Sequence, residues 1–276
     1  GRGLPPGMAN PSAPFGPAVF VGAARNNARF LPAALERWEL LAPLFESSRF
    51  VLAENDSTDG TAEIAARWAR AGDHRTVLAL DGLAATEPTR PARLAAVRNR
   101  LLDEVRATTF AGEQFLVAMD MDDASLAITP QRLRRAMAFE GWDALFANQL
   151  CYYNDVWALR DPVRSPDDWT HHVNHLPPGP RRWLARLQHL TWRNRPIAPW
   201  RPPFAVSSAF GGFGIYRLPL ALAGRYEGFR DGREICEHVP FNEQLEAAGA
   251  RLYVHPGLIN MLPLPLYRLG RIAGLL

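Results

Sequence analysis

The chain has 276 residues, 47% of them hydrophobic and 21% charged, a globular composition long enough to bury one large core or two small ones. The lack of any repeat period, long charge run or apolar stretch of about 18 residues excludes collagen, coiled coil, wholesale disorder and a spanning helix. The formal net charge is +3 and all 31 basic residues are arginine, too weak an excess to single out nucleic acid as a partner.

Residues 1–17 lack the basic-then-apolar pattern of a secretory signal and are expected to be unstructured, with Met8 read as a native start. Ala18 to Ala23 is a short apolar run with β-branched residues, a predicted buried strand that ends in the polar loop Arg25-Asn26-Asn27. Leu31 to Phe45 carries Leu35, Trp38, Leu41 and Leu44 at helical spacing, with Pro32 in its first turn. A second strand, Arg49 to Ala53, runs into Glu54-Asn55-Asp56-Ser57-Thr58-Asp59-Gly60 and then a helix over 61–71. Val77 to Leu80 is a third strand, 91–106 an arginine-studded helix, and Gln114 to Met119 a fourth strand ending in Asp120-Met121-Asp122-Asp123. Beyond Pro130 follow a helix over 131–139 and a strand over 143–147. The loop-like insert 164–203, with a helical piece near 181–190, leads to a strand over 211–216. A helix over 239–248 is stopped by Gly249, and a last strand covers 251–254.

Strands alternating with helices predict an α/β fold, an open, mostly parallel sheet flanked by helices. It is read as one domain over 18–260, with a nucleotide-binding half (18–130), an acceptor half (131–260) and a tail over 261–276. In such sheets ligands lie beyond the carboxyl ends of the strands, where the polar clusters fall. Cys151 and Cys236 form no metal or redox spacing and read as buried thiols of a reducing compartment, the cytoplasm.

Three segments carry the candidate chemistry. Asp120, Asp122 and Asp123 close a strand and repel one another, so a hard divalent cation such as Mn²⁺ or Mg²⁺ is expected; capping of the next turn is the competing reading. Glu54, Asn55 and Asp56 can accept from base N–H groups and ribose hydroxyls, or simply build a solvated turn. Arg93, Arg98 and Asn99 share one helix, where either guanidinium can fork to a phosphate or lie in solvent.

Taken in order, four of these pieces resemble the GT-A nucleotide-sugar glycosyltransferases. They are the Arg25-Asn26 loop, the turn Glu54 to Thr61, the helix segment Arg93 to Asn99, and Asp120-Met121-Asp122-Asp123. With Tyr153 to Asp161, Phe210-Gly211-Gly212-Phe213-Gly214-Ile215-Tyr216 and Cys236-Glu237-His238, the chain is similar to the fungal capsule-associated mannosyltransferase family and its bacterial relatives. The resemblance implies nucleoside contacts from Arg25, Glu54 and Asn55, and ribose and metal contacts from Asp120 and Asp122. It implies a reacting-face role for Glu237 and a third metal ligand in His255 or His238. Where related inverting enzymes often show Glu-Asp, this chain has Glu237-His238.

The resemblance further implies acceptor or sugar contacts from Tyr153, Asp155, Trp157, Arg160 and Asp161, where core packing and a local ion pair are the competing reading. Gly211 and Gly212 can bring backbone close to a ligand, or form a bulge. The expected activity is metal-dependent transfer of a hexosyl unit, mannosyl among the candidates, from a nucleotide-diphosphate sugar to a glycan or lipid-linked glycan in surface polysaccharide synthesis. A sugar-nucleotide nucleotidyltransferase is the alternative enzyme, though no lysine or Gly-rich phosphate loop supports it; a nucleic-acid-binding protein using the Arg/Trp insert is the non-enzymatic alternative. That insert, with Trp169, Trp183, Trp192 and Trp200, reads either as a lid and acceptor platform in peripheral contact with a membrane or as a stiff surface loop.

Overall fold

The computed structural model describes residues 14–108, 112–150 and 152–261. Cys151, the start at Met8 and the tail beyond residue 261 therefore lie outside the described residues. Strand β1 (Ala18–Ala24) leads through helix α1 (Leu31–Leu41) to β2 (Ser48–Glu54), α2 (Thr61–Arg70) and β3 (Arg75–Ala79). The short α3 (Leu83–Thr86) and the long α4 (Arg90–Ala107) precede β4 (Phe115–Met119), and α5 (Pro130–Met137) precedes β5 (Ala144–Gln149). The insert contributes α6 (Thr170–Val173) and α7 (Pro180–Arg186). After it come β6 (Phe204–Ala205), β7 (Phe213–Arg217), α8 (Leu218–Ala223), β8 (Phe229–Arg230), β9 (Arg233–Glu234), α9 (His238–Ala247) and β10 (Leu252–Met261).

Eight strands form one sheet in the order β3-β2-β1-β4-β7-β5-β10-β6, with β8 and β9 as a separate hairpin. Strands β3, β2, β1 and β4 are mutually parallel, as the alternating pattern predicts. The sheet is buried on both faces, and the two-residue period of the strands divides the core between them. Val19 and Val21 join Val97, Leu101 and Val105 of α4, while Ala18 and Phe20 join Leu35, Trp38 and Leu41 of α1.

The structure departs from the sequence reading at three elements. Helix α1 stops at Leu41 and tightens into a 3₁₀ turn over Ala42–Leu44, because Pro43 supplies no N–H to continue the ladder. Strand β7 runs antiparallel to both β4 and β5, between which it lies, so the sheet is mixed at its centre. Strand β10 is ten residues long, and its register to β5 shifts between Val254 and Ile259, across His255-Pro256-Gly257, where Pro256 cannot donate to the ladder. The unstructured segment expected through Pro17 also ends sooner. Phe15 donates to Leu44 O at 2.8 Å, accepts from Glu46 N at 2.7 Å, and packs its ring against Phe45.

Candidate active site

The carboxyl ends of β1, β2, β4 and β5 and the start of β7 meet at one rim, around a cleft of about 520 Å³. Two loops at that rim are zipped together. Asn26 N donates to Ser57 Oγ at 2.9 Å, Thr58 N to Asn26 Oδ1 at 2.8 Å, and Ala28 N to Asp59 Oδ2 at 3.0 Å. Asp59 also takes Thr61 N and Oγ1 at the start of α2.

This bracing consumes most of the acidic turn after β2. Glu54 is buried and accepts Ser57 N at 3.0 Å, and Asp56 takes Gly82 N at 2.6 Å and Ala84 N at 2.9 Å. Those two amides hold the Asp56 carboxyl below the usual carboxylate range. Of Glu54, Asn55 and Asp56, Asn55 lines the cleft, beside Arg25 and Asn27 from the loop after β1. The ligand role expected of Glu54 and Asp56 gives way to architecture.

Helix α4 supplies Arg90, Arg93 and Arg98 to the cleft. Arg93 Nη1 donates to the carbonyls of Glu87 and Pro88 at 2.8 and 2.7 Å. Arg98 is buried and does not reach out as a free phosphate fork. Its Nε donates to Glu237 Oε1 and its Nη2 to Asp120 Oδ1, each at 3.0 Å, with the guanidinium 5.0 Å from the centroid of the Phe210 ring. Burial alone would lower Arg98, but the charges of Glu237 and Asp120 outweigh it and raise it. Asn99, expected beside the nucleotide, instead pins the Tyr226 backbone, donating to its carbonyl and accepting its N–H at 2.9 Å each.

The acids behind that guanidinium form the floor. Asp120 N donates to Gly212 O at 2.9 Å, tying β4 to the start of β7. Asp122 Oδ1 accepts Ala124 N at 2.9 Å, so it caps the following turn as well as lining the cleft. Burial, then the neighbouring charges of Asp120 and Asp123, push its carboxyl up to about 6. Asp155 also rises to about 6, through burial and then the charges of Asp120 and Glu237, although its Oδ2 accepts Gly211 N at 2.9 Å.

Glu237 and His238 lie at the start of α9. His238 stacks on Phe210, ring centroids 3.8 Å apart, and its Nε2 is 3.6 Å from Glu237 Oε1. Neither ring nitrogen has a hydrogen-bond partner among the described residues, and burial holds the imidazole far below its ordinary range, hence neutral. His255 does not join the acids. It sits in the irregular stretch of β10, its Cε1 only 3.2 Å from where a Cβ on Gly257 would lie, and outside the cleft lining. His255, expected as a metal ligand, thus does not line the cleft that holds Asp120 and Asp122.

Among the expected acceptor residues, Asp155, Trp157 and Gly212 line the cleft. Tyr153 is fully buried beneath Gly211. Arg160 lies 3.3 Å from Asp168 and donates to the carbonyls of Trp157 and Leu159, while Asp161 accepts Val163 N and pairs its backbone with Ser165. Those two build the wall rather than face the ligand. The cleft also holds Asn154 and Phe210 from the same segments as these residues, together with Asn27, Arg90 and Gln149, which the sequence reading did not assign to a site; Asn27 lies in the loop after β1, Gln149 ends β5 and Arg90 starts α4.

The acids fit a hard divalent cation that shares its shell with ligand oxygens: Asp120 and Asp122 face one cleft, and Asp122 is raised by burial and then by the charges of Asp120 and Asp123. Among the described residues no group of three or more His, Cys, Asp or Glu is arranged to hold a metal, so the remaining ligands would come from a diphosphate or water.

No family model matches the sequence, and no curated protein matches it. Among solved structures, a mannosyltransferase from Pyrobaculum calidifontis, in complex with GDP-Man and Mn²⁺, aligns with a TM-score of 0.51 at 16% identity, over 98% of this chain and 64% of that one. TarS from S. aureus aligns at 0.49 with 16% identity, over 86% of this chain and 57% of that one. Glucosyl-3-phosphoglycerate synthase from Mycobacterium tuberculosis aligns at 0.44 with 15% identity, over 93% and 74%. The fold is of the GT-A type. The chain spans less than two thirds of the length of the mannosyltransferase and TarS chains.

Proposed function

We propose that the chain is a glycosyltransferase moving a hexosyl unit from a nucleotide-diphosphate sugar to a hydroxyl of a glycan or lipid-linked glycan. The observation that carries the reading is the charge layout of one cleft: Asp120, Asp122 and Glu237 on the floor, Arg25, Arg90 and Arg93 around it. A diphosphate needs that layout, since arginines bind its outer oxygens and the paired acids hold a cation against the others. Asn55 and Arg25 are assigned to the nucleoside, Arg90 and Arg93 to the phosphates, and Asp120 and Asp122 to a Mn²⁺ or Mg²⁺ ion. When bound, that ion supplies Lewis-acid neutralisation of the departing diphosphate. A mannosyl donor, and a place in surface polysaccharide synthesis, are the finer assignments. The likeness to the capsule-associated family supports both.

In the transfer, the bond from the sugar carbon to the diphosphate oxygen breaks and a bond to the acceptor oxygen forms, through an oxocarbenium-like transition state. Glu237 is the carboxylate at the reacting face. If configuration inverts, it takes the proton of the acceptor hydroxyl; if configuration is retained, it faces the developing cation. Arg98 fixes its orientation through Nε, and Phe210 and His238 exclude water behind it. Asp155 and Trp157 also line the cleft, where a carboxyl and an indole suit sugar hydroxyls and a sugar face.

The test is thermal unfolding with UDP, GDP, CMP and dTDP sugars, each with and without Mn²⁺. One nucleotide class should stabilise the protein only when metal is present, by about 2.7 kcal/mol at a hundredfold excess over Kd. Stabilisation by no nucleotide, or equally with and without metal, would overturn the assignment.

A further inference from the structure

Helix α7 continues as a π-helical turn, Leu187–Thr191, giving one helical stretch from Pro180 to Thr191. Its polarity is turned inside out. Ala185 is the buried residue of α7, whereas Trp183 is 63% and Leu184 51% exposed. At about 100° per residue, Trp183 and Leu187 fall on the side opposite Ala185. Trp192 and Trp200, just beyond, are 65% and 86% exposed. A surface helix ordinarily spends such a stripe on the core.

The charge along the stripe is mostly of one sign: Asp167, which pairs with Arg193 at 2.6 Å, and Asp168 stand at its root. From Trp169 to Tyr226 the sequence holds no Asp or Glu. Arg181, Arg186, Arg195 and Arg201 are exposed, and none has an acidic partner among the described residues. The insert is nevertheless firmly rooted: Asp168 takes Trp157 Nε1 at 3.3 Å, lies 3.3 Å from Arg160, and accepts Thr170 N at 2.9 Å.

We propose that this face docks on an anionic lipid bilayer, with Trp183, Leu187 and Trp192 in the headgroup boundary and the arginines on lipid phosphates. Interfacial helices combine apolar residues on one side with basic residues beside them, and tryptophan prefers the boundary between water and acyl chains. A second copy of the chain fits less well, since a two-fold contact would bring these unpaired arginines together. Single-stranded nucleic acid would leave the leucines wet. Because Trp157 belongs to the cleft, docking through the insert holds the cleft at a fixed distance from the lipid. The surface argument uses none of the cleft's chemistry and stands apart from the transferase reading.

The full chain is sedimented with phosphatidylcholine vesicles, with and without phosphatidylglycerol, alongside W183A/W192A and R181Q/R186Q variants whose far-UV circular dichroism matches wild type. Binding should require the anionic lipid, weaken roughly fivefold for each arginine removed, and be lost in W183A/W192A. The proposal is overturned if wild type binds neither vesicle or if both variants bind like wild type. It is equally overturned if the same substitutions instead abolish binding of a single-stranded oligonucleotide or a concentration-dependent dimer.

Discussion

Glu237 and Asp120 share one guanidinium, so a change at either acid is felt by the other through Arg98. Glu237→Gln keeps the side-chain volume and leaves the Asp120 half of that bridge in place. It should lower turnover by about 10²- to 10⁴-fold if Glu237 acts on the acceptor proton. Turnover near wild type, measured with the nucleotide sugar the unfolding panel identifies, would remove Glu237 from the reaction. Asp155 offers a test that needs no substrate. Its carboxyl holds a proton to about pH 6 in the folded chain, above its ordinary value of 3.8, because burial and the nearby acids disfavour the charge. At this carboxyl the folded state therefore binds more protons than the unfolded state, and the stability it contributes falls as pH rises from about 4 to 6, whereas the depressed His238 contributes in the opposite sense. The loss attributable to Asp155 has an upper limit of about 3 kcal/mol, and Asp122 adds a slope of the same sign. Asp155→Asn should make the slope of melting temperature against pH more positive than in wild type over this range, and an unchanged slope would mean that the carboxyl titrates as it does in water.

At the scale of elements, the turn into β7 is the most constrained part of the cleft. Gly211 has φ +68°, a left-handed conformation, and a Cβ there would stand 2.9 Å from the Ala147 carbonyl. Its N–H goes to Asp155, and its carbonyl accepts from Gln149 at 3.1 Å and Asn260 at 2.6 Å. Gly211→Ala should cost about 1–3 kcal/mol, read as a lowered midpoint in chemical unfolding. A midpoint equal to wild type would show that β5 does not clamp the turn. The sequence carried the strands that end at this rim, because apolar runs followed by polar clusters survive any rearrangement of helices. It also carried Asp120, Asp122, Asn55 and Glu237 as cleft residues. It did not carry what each polar group is already bonded to. Asp56 and Asn99 look like ligands until the amides of Gly82 and Ala84 and the backbone of Tyr226 are seen to occupy them. Those partners come from remote segments, and no local spacing encodes them. The direction of β7 and the irregular course of β10 past His255 were hidden for the same reason: each pairs with strands from remote, earlier segments of the chain.

For the molecule as a whole, the insert and the cleft meet at Asp168, so a site built for charged ligands and a face rich in tryptophan and arginine share one root. Among the described residues no helix is long and apolar enough to cross a membrane. The strand order has its own consequence for how the protein comes into being. Strand β5 is flanked by β7 and β10, and both are encoded after it. A ribosome adding roughly 5–20 residues per second leaves Ala144–Gln149 without either neighbour while the insert is made, and half-paired until Leu252 emerges. During those seconds an apolar segment, Leu145-Phe146-Ala147, presents open edges to other nascent chains, the situation in which chaperones compete with aggregation.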